Sequence, residues 1–155
     1  MTDDLTFEVF NKPEETEQWF DVAFISDPLD PELMKKELEV VGTAPDIKKG
    51  IPFCARLEGK IIGTAYVQTT VFDSPGTSAT LFHMAIKKEL QGKGLGKNFL
   101  SWIEDNLKGQ GLSVLILFTS MASGFYEKCG YKKWGTLNLE DKDKIDRLYY
   151  YKKLT

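Results

Sequence analysis

The sequence has one histidine, His83, and two cysteines, Cys54 and Cys129. The cysteines lack metal-ligand spacing. A lone histidine with no companion pattern does not make a catalytic cysteine triad. Both cysteines therefore read as free, buried thiols. No apolar run approaches the roughly 18 residues that a spanning helix needs, so no membrane partner is expected. The N-terminus, MTDDLTFEVF, is acidic and has no apolar signal-peptide core, so a cytoplasmic protein is expected. Positive charge is also in short supply. Lys and Arg number 20 against 23 Asp and Glu, giving a net charge of −3 and a pI near 5.3. Nucleic-acid binding in general needs a basic face, and none is expected here. Repeats and low-complexity tails are absent.

What is present fits one domain spanning residues 1–155, 42% hydrophobic and 28% charged. Leu5–Phe10 alternates as a first strand. Pro13 opens a helix whose first turn is acidic and whose apolar face carries Trp19, Phe20, Ala23 and Phe24. Asp30-Pro31-Glu32 predicts a second helix running to about Val41. Pro52–Leu57 and Ile61–Val71 read as a hairpin about Glu58-Gly59-Lys60. Ala79–Ile86 is a strand, Gly96 to about Lys108 a helix with Phe99, Trp102, Ile103 and Leu107 on one face. Val114–Thr119, continuously apolar, reads as a central strand buried on both sides. Ala122–Lys128 is a short helix, and Tyr131–Leu137 and Arg147–Lys152 are the last strands. The order β-α-α-β-β-β-α-β-α-β-β predicts an α/β domain on a mixed sheet. The strands at Ala79 and Val114 should be parallel neighbours in a β-α-β unit.

Leu81–Leu107 is the centre of interest. An apolar strand enters a turn with Gly92, Gly94 and Gly96 at alternate positions, and a helix follows at once. That arrangement aims backbone N–H groups and the positive end of a helix at an anion. Lys87, Lys88, Lys93 and Lys97 gather around it on an otherwise acidic chain. A Walker loop needs GxxxxGK with Ser or Thr next, and the spacing from Gly92 to Lys97 fails it. The dinucleotide pattern GxGxxG needs glycine at 97, which is lysine.

The pattern that fits is Gln91-x-x-Gly94-x-Gly96. It resembles the acyl-CoA-binding motif of the GCN5-related N-acetyltransferase (GNAT) superfamily, Q/R-x-x-G-x-G/A. Met84-Ala85-Ile86 resembles the end of that family's fourth strand. Phe125-Tyr126-Glu127-Lys128-Cys129-Gly130-Tyr131 resembles its last helix–strand junction. The likeness covers about Ala79–Trp134, and the Pro52–Val71 hairpin agrees with it.

The resemblance implies a GNAT-like α/β (α+β) domain, with about seven strands splayed between the fourth and fifth and about four helices. It implies acetyl-CoA (coenzyme A) as donor and an amine, small-molecule or peptide, as acceptor, by direct attack. Family members are often dimers, so a homodimer is among the expected partners. Backbone around Gly92, Lys93, Gly94, Leu95, Gly96 and Lys97 would hold the pyrophosphate. The pantetheine arm would lie along Met84, Ala85 and Ile86, with an amide near Ile86 polarising the thioester carbonyl. Tyr126 would protonate the leaving thiolate as general acid, while Phe125 and Tyr131 read as core.

The sequence also departs from the family. Thr119 stands where members often carry Asn against the cofactor arm, and Ser120 shares that place. The strand positions that carry a base in many members hold Phe82 and Thr80. His83 is one position off, on the opposite face of a regular strand, and a bulge would return it. A water relaying to Glu58 or Asp73 is the other source of a base. Asp27, Asp30, Glu32, Asp73, Glu140, Asp141 and Asp143 are carboxylates in regions that line the family's acceptor cleft. An acyl-CoA-binding module without efficient catalysis, and a nucleotide phosphate binder, stand beside the transferase reading.

Overall fold

A computed structural model describes residues 4–23, 25, 50–69, 78–119, 122–137 and 147–154. The expected second helix, the turn at 73–76, Ser120 and the charged stretch 140–146 lie outside the described residues, as do the seven cleft carboxylates.

Strand β1 (Leu5–Val9) leads to a 3-10 turn at Pro13–Glu15 and helix α1 (Thr16–Ala23). Proline at the first position supplies a fixed φ where no N–H is needed. Helix α1 buries Trp19, Phe20, Val22 and Ala23, and the Trp19 indole donates to the Phe53 carbonyl at 3.0 Å. Strands β2 (Ile51–Leu57) and β3 (Lys60–Thr69) follow. Their two-residue turn has positive φ at both Glu58 (52°) and Gly59 (79°), the twist-matched hairpin geometry. Strand β4 (Ser78–Ile86), a 3-10 turn at Lys88–Leu90 and helix α2 (Leu95–Gly109) come next. Strand β5 (Val114–Thr119), helix α3 (Ser123–Lys128), β6 (Lys132–Leu137) and β7 (Arg147–Lys153) complete the order.

The strands form one seven-stranded sheet in the order β1-β2-β3-β4-β5-β7-β6. β4 and β5 are its parallel pair; the other neighbours are antiparallel. The expected β-α-β unit is therefore in place.

Strand alternation gives the sheet two faces with separate cores. On one face α2 packs Leu95, Phe99, Leu100, Ile103 and Leu107 against Phe53, Val67, Leu81, Leu115 and Leu117. On the other face α1 packs against Cys54, Ile61, Tyr66 and Ala85. Two expectations change. β5 buries Leu115 and Leu117 on the α2 face, but Ile116 and Phe118 on the α1 face are only half-buried. Its unbroken apolar run does not mean equal cover on both sides. Cys129 is half-buried as well, whereas Cys54 is fully buried.

The β1–β2 edge is fastened by a buried charge. Arg56 is 5% exposed. It donates from Nε to Glu8 at 2.6 Å, and from its two terminal nitrogens to both Glu15 oxygens at 3.0 and 2.8 Å. A further bond to the Gly59 carbonyl at 3.0 Å ties the hairpin turn to the same group. A planar donor fork with all its partners supplied tolerates burial. Arg56→Ala should lower unfolding free energy by about 1–3 kcal/mol in urea denaturation, without altering the β4–β5 region.

Candidate active site

β4 and β5 pair over only four residues, Ser78–Leu81 with Val114–Leu117. Phe82–Ile86 stay paired to β3 alone, and Phe118 and Thr119 continue along β7. A gap therefore opens in the sheet between β4 and β5 beyond Leu81.

β4 carries a bulge at the gap. Tyr66 pairs with Phe82 and Thr64 with Ala85, so His83 and Met84 together oppose Ala65. His83 has φ 54°, a left-handed backbone uncommon outside glycine. The inserted residue flips the later alternation, and Leu81 and Ile86, five positions apart, share the α2 face. It also sets the imidazole near Tyr66 and Phe82, with ring centroids 6.4 and 6.1 Å away, on the α1 side. Thr64, buried on β3, donates from Oγ1 to the His83 carbonyl at 2.9 Å. In a planar trans peptide the Met84 N–H is opposed to that carbonyl, so it turns away from β3 toward the gap. The Lys87 N–H bonds to the Ile62 carbonyl of β3 at 2.9 Å. By alternation the Ile86 N–H also faces the gap, while that of Ala85 faces β3.

The glycine turn follows directly. Gln91 donates from Nε2 to the Ile86 carbonyl at 2.8 Å, capping an acceptor that β3 does not reach. Gly92 and Gly94 have φ 79° and 83°, and a Cβ on either would meet nothing within 4 Å. Glycine is needed there for backbone conformation, and the space before the turn is open. The first intrahelical bond of α2 runs from the Asn98 N–H to the Gly94 carbonyl at 3.1 Å. The amides of Leu95, Gly96 and Lys97 are thus open donors at the helix start, and no side chain caps them. Lys93 and Lys97 are exposed beside them. Gly96 has another cause: a Cβ there would stand 3.2 Å from the Phe125 ring. Its bareness lets α3 close on α2.

α3 presents Tyr126, 7% exposed, within the α2-face core. Its ring meets Phe125 and Tyr131 at 5.1 and 5.7 Å. The helix is held from outside by a buried carboxylate. Glu104 of α2 accepts from the Tyr131 hydroxyl at 2.7 Å and from Lys152 of β7 at 2.9 Å. Lys152 donates again to the Cys129 carbonyl at the end of α3, at 2.9 Å. Tyr150 donates to Glu127 at 2.6 Å.

These features combine a strand gap with inward amides, an anion-ready helix start and a buried phenol. Comparison with known proteins decides what they belong to. Residues 48–133, more than half of the chain, match the model of the acetyltransferase (GNAT) domain. The chain belongs to the GNAT acetyltransferase family. It is 26% identical over 106 residues to the probable N-acetyltransferase 14 of Xenopus tropicalis, covering 61% of this chain and 52% of that protein. The chain thus spans about half the length of that curated relative. A crystal structure of an aminoglycoside 6'-N-acetyltransferase complexed with coenzyme A superposes with TM-score 0.81. The identity is 15%, and 97% of each chain is covered. A GNAT acetyltransferase from Elizabethkingia anophelis with acetyl-CoA bound gives TM-score 0.74 at 18% identity, covering 97% of this chain and 99% of that one. At these identities the shared property is the fold.

Within the GNAT frame the residues expected at the site fall into three groups. Gln91, Gly92, Lys93, Gly94, Gly96, Lys97 and the Leu95 amide form the turn, although the Leu95 side chain is core. Met84 and Ile86 point N–H groups at the gap. Thr119 sits at the end of β5, where its Oγ1 accepts the Ala122 N–H at 3.0 Å and shapes the entry to α3; its own proton remains to be donated. Glu58 lies in the β2–β3 turn, roughly 20 Å along β3 from the bulge at 3.3 Å per residue. That is too far for one relaying water. Among the described residues no group of three or more His, Cys, Asp or Glu could hold a metal ion. No described helix is long and apolar enough to cross a membrane.

Sequence reasoning missed Thr64 and Glu104. Thr64 shows no signal within an apolar strand. Glu104 does leave one, a carboxylate in the apolar stripe of α2 one position after Ile103.

Burial raises the acidic protons of Cys54, Tyr126 and Tyr131, and also that of Cys129. The Cys54 thiol is pushed up to about 12 by burial. The Tyr126 phenol is raised by burial, with Cys129 adding to it. The Tyr131 phenol is raised by burial and by the Glu104 charge beside it. The unfolded chain releases these protons at ordinary values, about 9 to 10, while the folded protein keeps them. Stability is therefore full below pH about 9 and falls above it, by up to about 1.4 kcal/mol per pH unit for each of Cys54, Tyr126 and Tyr131. Urea unfolding between pH 9 and 11 should show this decline, and Tyr126→Phe should make it shallower by about one proton's worth.

Proposed function

We propose that the protein transfers an acetyl group from acetyl-CoA to a primary amine by direct attack. The support for this is two ionisable side chains on opposite faces of the sheet that holds the strand gap. The His83 imidazole is on the α1 side, and the Tyr126 phenol is in the core of the α2 side. An amine entering from the α1 side and a thiol leaving toward the α2 side need that division.

The donor's phosphates suit the open amides of Leu95, Gly96 and Lys97 and the lysines beside them. Its extended arm suits the strand edge of β4 exposed in the gap. The Met84 and Ile86 N–H groups face the position of a thioester carbonyl there. One such donor to a developing oxyanion contributes about 3 kcal/mol in comparable sites. His83 takes the proton that the amine sheds as the C–N bond forms. Tyr126, kept protonated by burial, donates to the sulfur as the C–S bond breaks, so the donor leaves as the free thiol. The strained backbone at His83 is consistent with this role, since such strain concentrates at functional sites. Thr64 acts as a positioning residue, because its bond to the His83 carbonyl sets the direction of the Met84 N–H.

Coenzyme A at a hundred times its Kd should raise Tm by about 5–10 °C, from roughly 2.7 kcal/mol of linkage, and ATP should not. No shift with millimolar coenzyme A would sink the reading. Stabilisation without turnover on any amine would instead indicate an acyl-CoA-binding module.

Two substitutions separate the roles. Asparagine tolerates a left-handed backbone, so His83→Asn should keep the bulge while lowering kcat about 10–100-fold and removing the acid limb of the pH–rate profile. Tyr126→Phe should lower kcat about 100-fold, with the KM for acetyl-CoA within about twofold. Unchanged turnover in either variant would remove that residue from the chemistry.

A further inference from the structure

An aromatic strip crosses the α1 face from the gap to the far edge of the sheet. Phe82 of β4 meets Phe118 of β5 edge-on at 6.0 Å. Phe118 meets Tyr149 of β7 at 5.8 Å, and Tyr149 meets Trp134 of β6 at 5.8 Å. These rings come from four neighbouring strands, so the strip runs about 14 Å at roughly 4.8 Å per strand. Its inner end is the first residue pair beyond the last β4–β5 pairing, Leu81 with Leu117. His83 stands next to it, 6.1 Å from Phe82.

The strip is not ordinary core. Ring cover decreases outward: Phe118 and Tyr149 are half-buried, and Trp134 is 60% exposed. Among the described residues, an indole left mostly in water beside a tyrosine, in line with two further rings, is apolar surface open to a ligand. Trp134 is also the extra residue of a β6 bulge, since Lys133 pairs with Tyr150 and Gly135 with Tyr149. Bulges re-aim side chains, and this one turns the indole onto the strip.

We propose that the strip is the acceptor platform, and that the acceptor is a primary amine carried on a planar aromatic body, an arylalkylamine. This deepens the transferase reading and rests on it. The amine end reaches His83 and the gap, while the aromatic body lies along Phe118 and Tyr149 and stacks against Trp134. Aromatic faces and edges recognise flat aromatic bodies by offset or edge-to-face contact. A short aliphatic amine would leave the outer rings unused.

The test uses the full chain with acetyl-CoA and three amines: tryptamine, n-butylamine and spermidine. Tryptamine should have kcat/KM at least tenfold above both others. Trp134→Ala, at an exposed site that should not affect folding, should raise the tryptamine KM about tenfold. It should leave kcat, the KM for acetyl-CoA and the spermidine kinetics unchanged. Preference for spermidine or n-butylamine, or a tryptamine KM indifferent to Trp134→Ala, overturns the platform and leaves the transferase reading standing.

Calorimetric titration of tryptamine into the free protein and into its coenzyme A complex decides the matter independently of turnover. Binding weakened about tenfold by Trp134→Ala supports the platform even if no amine is acetylated. Absence of binding in both titrations overturns it. Failure of coenzyme A itself to bind would mark the failure of the transferase reading instead.

Discussion

Two parallel strands that stop pairing after four residues control this molecule. A parallel pair within a sheet normally continues until one strand ends, because each unmade bond leaves polar groups that must be satisfied. Here β4 keeps β3 and β5 keeps β7, so each retains one neighbour while their shared edge opens. Inserting one residue at His83 makes this workable. The bulge bends β4, turns two amides into the opening and reverses the side-chain alternation, so that Ile86 still reaches the α2-face core. Without that reversal, the strand could not bury both Leu81 and Ile86 against α2.

Around the opening, the supporting contacts are chosen for rigidity. Thr64 fixes the bulge peptide from β3, and Gln91 closes the last β4 carbonyl. Glu104, Tyr131 and Lys152 lock α2, the end of α3 and β7 together. The carboxylate is nearly buried, and both its partners are in place, which is the condition under which a buried charge is tolerable. Thr64 and the Glu104 group act from behind the gap, and Gln91 from its edge. They hold the elements that form it.

Much of this was legible in the chain. Alternation and helical spacing located the strands and α1, α2 and α3, since their apolar faces repeat at the periods that burial demands. The turn was legible because Gly92 and Gly94 answer a backbone requirement, and its family resemblance agreed with the matched domain at residues 48–133. A bulge at His83 was raised only as the way to change the imidazole's face, and the structure has one. Its cause is a pairing mismatch between β3 and β4, a property of two segments nearly twenty positions apart, and no local pattern in SATLFHMAI encodes it. β5 misled for a related reason. VLILFT is apolar at every side-chain position but its last, yet only alternate residues are fully buried. Of the others, Phe118 joins a run of rings shared with β4, β7 and β6. Gly96, read as part of the turn, lies in the first turn of α2, and its bareness is explained by a neighbouring ring rather than by φ.

The contact between Gly96 and Phe125 couples the start of α2 mechanically to α3. Phe125 is the chain neighbour of Tyr126, and its ring stands where any side chain at 96 would grow. The clearance is only a few tenths of an ångström short of ordinary contact. A larger residue at 96 therefore requires the Phe125 ring to give way by a few tenths of an ångström, and that ring is joined directly to the residue carrying the phenol. Position 96 and position 125 thus share one steric allowance, so how closely α3 approaches α2 is set by the bare backbone at the helix start.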